Sequence, residues 1–153
     1  MNLKTKEKMS EIVVVDTNIF VSYFLTPNKT TAVKTVVNRI LCKEATPVYS
    51  TQIMVEYVKV LKRPKFNFPN DTISRFLKLI CDNGLYVNPL PTSMPFIDLS
   101  DKCFYDAALT AHVDYLITGN KRHFPDEPFI VAPAEYLQRV GSSANSSASK
   151  GGL

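Results

Sequence analysis

At 153 residues, 45% of them hydrophobic, the chain has the size and apolar content of one compact domain with a sizeable core. Its formal charge of +4 favours meeting a polyanion, and its three cysteines, Cys42, Cys81 and Cys103, form no CxxC pair, which argues for reduced thiols rather than a disulfide framework or zinc site. The apolar run behind the basic N-terminus is too short for a secretory signal, and no segment approaches the about 18 apolar residues of a membrane span, so a cytoplasmic protein is expected.

Residues 1–10 are polar and expected to be flexible. Ile12–Val15 is a continuous β-branched run, the pattern of a strand buried on both faces of a parallel sheet. Asn18–Leu25 reads as a short helix ended near Pro27. Val33, Val36, Val37, Ile40 and Leu41 recur at helical spacing and predict a helix over Thr30–Lys43. Pro47–Ser50 fits a short strand. Thr51–Lys62 is helical, with Ile53, Met54, Tyr57, Val58 and Leu61 on one side and Pro64 closing it. Ile73, Phe76, Leu77 and Ile80 mark a helix over Asp71–Asp82, stopped by Asn83-Gly84. Leu85–Val87 is a short strand, followed by a proline-rich loop from Pro89 to Pro95. Asp101–His112 is the next helix, Tyr115–Thr118 and Phe129–Val131 are strands, and Pro133–Arg139 is a closing helix with proline in its first turn. The tail, residues 141–153, is a Gly/Ser/Ala segment expected to be disordered. Strands alternating with helices over residues 11–140 predict an α/β domain with a mainly parallel sheet.

In such a sheet, ligands bind outside the carboxyl ends of the strands. Two strands break from apolar to polar there: Asp16-Thr17-Asn18 follows Ile12–Val15, and Thr118-Gly119-Asn120 follows Tyr115–Ile117. If the strands are neighbours, both polar sets converge on one edge. Glu56, at the border of a buried helical stripe, and Asp101, preceded by Asp98, could join them. Several carboxylates at close range repel unless a cation lies between them. Oxygen donors without a His or Cys cluster favour Mg²⁺ or Mn²⁺, a combination suited to phosphodiester hydrolysis. Taken singly, each acid has a plainer explanation. Asp16 and Asp101 could be helix N-caps and Glu56 a solvated helix acid, while Asp106 lies opposite Phe104, Ala108 and Ala111 and should face solvent unless the loop folds over it. His123, before Phe124-Pro125, is expected to be a structural loop residue.

Taken together, IVVVDTNIF, then Glu56-Tyr57 leading into VLKRPKF, then DLSDKCFYDAAL and DYLITGNKRHFP resemble the PIN domain, and within it the PIN-family toxins of bacterial toxin–antitoxin systems. The resemblance covers about Ile12 to Tyr136. It implies a three-layer α/β/α fold and a Mg²⁺- or Mn²⁺-dependent endoribonuclease, with a cognate antitoxin and a possible homodimer as partners beside the RNA. Its acids fall on Asp16, Glu56 and Asp101 as the catalytic, metal-holding set. A fourth position, commonly an Asp in TGD, is Asn120 here, although members with TGN followed by HFP resemble a subgroup of their own. Asp98, Asp106 and Asn120 are further candidate ligands. Thr17, Asn18 and Thr118 would orient carboxylates or metal waters, and a water activated by the metal would leave a 5′-phosphate and a 3′-hydroxyl. Lys59, Lys62, Arg63 and Lys65, with Lys121 and Arg122, are candidates for the RNA backbone, a solvated helix face being the alternative for the first group. The departure at Asn120 leaves open a second reading, a weak or inactive PIN module that binds RNA or acts as a scaffold. A phosphatase using Asp16 as nucleophile is discounted, because such enzymes want a second acid where Asn18 stands.

Overall fold

The computed structural model describes residues 10–151. Most of the N-terminal segment expected to be flexible lies outside them. The elements run β1 (Glu11–Val15), α1 (Thr17–Leu25), α2 (Ala32–Leu41), β2 (Ala45–Tyr49), α3 (Thr51–Leu61), a 3₁₀ turn (Pro64–Phe66) and α4 (Asn70–Asn83). Then come β3 (Leu85–Tyr86), α5 (Leu99–Ala111), β4 (Tyr115–Ile117), a second 3₁₀ turn (Lys121–His123), β5 (Ile130–Val131) and α6 (Pro133–Gly151). All strand pairs are parallel, in the order β3-β2-β1-β4-β5. Helices flank this sheet in the three-layer α/β/α arrangement expected from the sequence. No helix among the described residues is long and apolar enough to cross a membrane.

The β-branched run occupies the centre of the sheet. Val13, Val14 and Val15 are fully buried, and so are Leu116 and Ile117 on the neighbouring strand. Valine and isoleucine suit this position because branching at Cβ fills the pleated surface on both faces. Around the sheet, Ile40, Ile53, Leu61, Ile73 and Ile80 are the buried positions of the helical stripes. At the carboxyl end of β1, the Tyr57 hydroxyl donates to the Val15 carbonyl at 2.6 Å, tying α3 to the strand.

Three boundaries depart from expectation for identifiable reasons. β2 starts at Ala45 rather than Pro47, and so contains a proline inside an interior strand. Proline cannot donate to a ladder. Here the two-residue β3 pairs only with Val48 and Tyr49, whereas Pro47 is matched to Val13 of β1 alone, so its missing N–H deprives no neighbour. α5 starts at Leu99, two residues early, because Asp98 caps it: its Oδ1 accepts from the Ser100 amide at 2.9 Å and the Ser100 hydroxyl at 2.8 Å. α6 continues to Gly151, through most of the stretch expected to be disordered; residues 152–153 lie outside the described part. Once a helix is nucleated each added residue gains a hydrogen bond at modest cost, and Ala, Ser and Lys tolerate that extension.

Gly84 joins α4 to β3 where no side chain fits. A Cβ there would stand 2.5 Å from the Ile80 carbonyl oxygen and 2.6 Å from that of Pro47, both backbone atoms. Gly84→Ala is therefore expected to destabilise the fold by about 1–3 kcal/mol, as overpacking does. Gly141→Ala, in α6 with nothing within 4 Å, should be neutral or stabilise by up to about 1 kcal/mol. Urea denaturation of both variants tests the pair, and equal midpoints would refute the close approach at Gly84.

Candidate active site

The side-by-side pairing of β1 and β4 brings Asp16-Thr17-Asn18 and Thr118-Gly119-Asn120 to one edge of the sheet. The junction is stitched by four hydrogen bonds. The Asp16 amide donates to the Ile117 carbonyl at 2.9 Å, and the Thr118 hydroxyl donates to Asp16 Oδ2 at 2.8 Å. The Asn120 amide donates to Thr118 Oγ1 at 3.0 Å, and the Gly119 amide to Asn18 Oδ1 at 3.2 Å. Asp16 occupies the N-cap position of α1 but makes no capping hydrogen bond through its side chain. Its carboxylate is turned toward Thr118 instead. Asp101 is likewise freed from capping, because Asp98 performs that role for α5.

Above this junction lies a cleft of about 320 Å³. Asp16, Glu56, Asp98, Asp101, Asn120 and His123 line it together with Thr17 and Asn18. Every acid of the expected set thus opens onto one cleft, as does the amide that replaces a fourth. Asp16 and Asp101 are 6% and 9% exposed, too buried for ordinary solvated acids. Asp101 Oδ2 is buried and accepts no hydrogen bond, and Thr17 Oγ1 is buried without a partner. Glu56 stands nearer the rim, its Oε1 4.0 Å from Lys59 Nζ.

Burial pushes the Asp16 carboxyl above the usual carboxylate range, against the hydrogen bond from Thr118. Asp101 is raised to about 6, first by burial and then by the charges of Asp16 and Asp98, while His123 opposes the rise. Asp98 is lowered by its hydrogen bonds from Ser100. Cys103, beneath the same acids, is pushed up to about 12 by burial and by the charges of Glu56 and Asp16, and so stays a neutral thiol.

Two residues behave differently from expectation. Asp106 is not among the residues lining the cleft, although it is buried. The proline-rich loop folds over it: its Oδ1 accepts from the Thr92 amide at 3.1 Å and the Thr92 hydroxyl at 2.7 Å, and its Oδ2 pairs with Lys102 at 2.9 Å. Both oxygens are committed to anchoring that loop, which removes Asp106 from the candidate ligands. His123 moves the other way. It lies in the cleft with Nδ1 3.3 Å from Asp101 Oδ2, its side chain half exposed. Its place three residues after Asn120 sets it near this edge of the sheet, but nothing in the local sequence tells which way its side chain faces.

The basic candidates divide as well. Arg63 lines the cleft. Lys62 donates to Ser74 Oγ at 3.3 Å, Lys65 lies over the Phe66 ring, and Lys121 pairs with Glu135 at 3.0 Å. Arg122 borders a separate hollow with Phe124 and Asp126.

Among the described residues no three His, Cys, Asp or Glu side chains are grouped tightly enough to hold an ion as they stand. The chemistry of the site nevertheless fits a hard divalent cation. Asp16, Glu56 and Asp101 supply oxygen donors, Asp101 Oδ2 is buried and accepts no hydrogen bond, and two acids are driven toward protonation by burial, with Asp101 raised further by charge repulsion. A family model described as PIN domain matches residues 12–122. The chain belongs to the PIN domain family. That match spans all the cleft acids and all but one of the residues that line the cleft. No curated protein is similar enough to the chain to count as a match. PIN domains are generally nucleases that use divalent metals.

The raised Asp101 has a consequence for stability. Its folded value of about 6 lies above its ordinary 3.8, so the folded state holds the proton more tightly. That contribution is fully present below pH about 4 and is lost as the pH rises through about 6. Asp101→Asn should therefore raise the melting temperature in EDTA at pH 7.5, with little change at pH 4. A lower melting temperature at pH 7.5 would show that the ionised carboxylate stabilises the metal-free fold and would overturn the account.

Proposed function

We propose that this PIN domain is a Mg²⁺- or Mn²⁺-dependent endoribonuclease acting as the toxin of a toxin–antitoxin pair. The observation that carries the catalytic part is the buried pair Asp16 and Asp101, open to one cleft, with Asp101 Oδ2 accepting no hydrogen bond and only the imidazole of His123 beside it at 3.3 Å. Burying carboxylates without compensation costs several kcal/mol each, which a fold bears where a cation offsets it. Asp16, Asp101 and Glu56 would hold the ion, with Asp98 and Asn120 beside them. When bound, a divalent cation in such a site activates water and neutralises charge on the phosphate.

The chain's own contribution is to fix the donors. Thr118 holds Asp16 Oδ2 by its hydroxyl while receiving the Asn120 amide, so one side chain sets the position of both strand ends. Asn18 locks Gly119, and Tyr57 pins the end of β1 to the helix that carries Glu56. Oriented ligands of this kind gain affinity from their supporting hydrogen bonds. Arg63 and Lys59 lie close enough to the acids to meet the RNA backbone, and their contribution falls with salt. The toxin role, the cytoplasmic location, a cognate antitoxin and a homodimer belong to the same reading, supported by the resemblance of the four sequence motifs to PIN-family toxins.

Purified protein incubated with mixed single-stranded RNA should cleave it in Mn²⁺ and stop in EDTA, and Asp16→Asn should abolish turnover. Thr118→Val, which keeps the shape but removes the hydroxyl, should lower Mn²⁺ affinity or rate by about 10- to 100-fold. Cleavage that persists in EDTA or in Asp16→Asn would sink the metal–carboxylate mechanism. RNA binding without cleavage would favour the scaffold reading that the Asn120 departure permits. Asn120→Asp adds a charge to the cleft and should tighten Mn²⁺ binding measured by calorimetry; unchanged affinity would show that position 120 does not face the ion.

A further inference from the structure

The proline-rich loop between β3 and α5 has little of its own to hold it in place. Residues 87–98 form neither helix nor strand, and none before Asp98 is charged. Leu90 and Ile97 are 75% and 98% exposed, so the segment buries few of its apolar side chains. A loop of that kind opens at little cost unless it is tied down from outside. Three ties run to α5. The Leu90 amide donates to Thr110 Oγ1 at 3.1 Å, the amide and hydroxyl of Thr92 donate to Asp106 Oδ1 at 3.1 and 2.7 Å, and the Phe96 ring packs on Tyr105 at 5.5 Å. The loop therefore runs back along the helix toward its first turn, as a strap.

Asp106 is the tie that is costly to build. It is buried in the middle of a helix, where a carboxylate is unfavourable unless both oxygens are compensated. Lys102, one turn earlier, compensates Oδ2 at 2.9 Å and leaves Oδ1 to Thr92. Between Thr92 and Asp98, Pro95 fixes its own φ and restricts Met94 before it, so a displacement at Thr92 is passed along the strap rather than absorbed in it. The strap ends on Asp98, which lines the acidic cleft. Asp98 Oδ1 accepts from the Ser100 amide and hydroxyl, and its carbonyl accepts from the Asp101 amide at 3.1 Å. The first turn of α5, Asp101 included, is thus bonded to the end of the strap.

We propose that Asp106 is a positioning residue of the acidic cleft: through Thr92 it latches the strap, and the strap sets where Asp98 and Asp101 stand. The inference rests on the nuclease reading and gives a task within it to an acid that does not itself line the cleft. The first amides of a helix lack partners within it, so its first turn keeps its shape only as well as its cap is held. Phe96 extends the same restraint to the turn after β4, because its ring also meets Phe124, the neighbour of His123, at 6.0 Å. With the latch released, Asp98 and Asp101 sample more positions, and a cation held by these acids binds less tightly.

The test begins with hydrogen exchange of the full, metal-free chain in EDTA. In Asp106→Ala the Thr92 amide should exchange about tenfold faster than in wild type, having lost a charged acceptor, and the amides of Ser100 and Asp101 should follow it. Calorimetric titration with Mn²⁺ should then show affinity about tenfold weaker. Asp106→Asn, which keeps an oxygen for Thr92, should retain most of both. Thr92→Val leaves Asp106 paired with Lys102 and α5 untouched, and should move both readouts in the same direction as Asp106→Ala, which separates a loosened strap from a damaged helix. Faster exchange confined to Thr92, with Ser100, Asp101 and Mn²⁺ affinity unchanged, would overturn the positioning role and leave Asp106 as a loop anchor only. Wild-type RNA cleavage and Mn²⁺ affinity in Asp106→Ala would reject the latch and leave the nuclease reading standing. Faster exchange at Ser100 and Asp101 with weakened Mn²⁺ binding, in a chain whose wild type cleaves no RNA, would do the reverse.

Discussion

The hydrogen bond from Thr118 to Asp16 is the constraint on which the rest of the site depends. It joins the ends of two parallel strands separated by about a hundred residues of chain, and it does so at the atoms expected to do chemistry. Parallel pairing is what makes it possible. β1 and β4 run the same way, with Val15 matched to Ile117, so both chains leave the sheet at the same edge and present their first polar residues together. An antiparallel neighbour would have sent its Thr-Gly-Asn to the opposite edge. Two further elements are tied to that pair: α3 through the Tyr57 hydroxyl on Val15, and the turn with His123 through the Asn120 amide.

Capping explains how two acids came to be free. A carboxylate just before a helix usually satisfies one of the exposed amides of the first turn. At α5 that task falls to Asp98, so Asp101, one turn on, adds charge near the positive end of the helix without being consumed by it. At α1 the N-cap residue is Asp16 itself, yet its side chain leaves the cap to face Thr118. Both positions carry a cost, since burial raises the two carboxyls toward protonation. Local conflicts of this kind are expected where function overrides folding preference.

The sheet and its helices were largely legible in the sequence, because the β-branched run and the helical stripes are periodic signals that burial enforces directly. Where legibility failed, the missing information was tertiary. Nothing around Pro47 announces that β3 is too short to reach it, which is what allows a proline there. Asp106 sits on a helix face that the pattern gives to solvent; only the proline-rich loop, anchored on it through Thr92, covers it. His123 was the harder case. It lies in a short 3₁₀ turn with no periodicity to report which way a side chain faces, so its approach to Asp101 could not be read from local pattern.

Asn120 is intelligible in the same electrostatic terms. The cleft already contains Asp16, Asp98, Asp101 and Glu56, and Asp101 is raised to about 6 in part by two of those neighbours. A further carboxylate at position 120 would add like charge to buried acids and drive them further toward protonation in the absence of a cation. An amide keeps an oxygen donor on the cleft wall without that repulsion. His123, three residues on, works in the same direction, since its influence lowers Asp16, Asp98 and Asp101 alike. Asn120, by adding no charge, and His123, by its influence on the acids, both limit the repulsion between Asp16 and Asp101. An amide at this edge therefore spares the buried acid pair a further like charge when no cation is present, in exchange for a weaker pull on one.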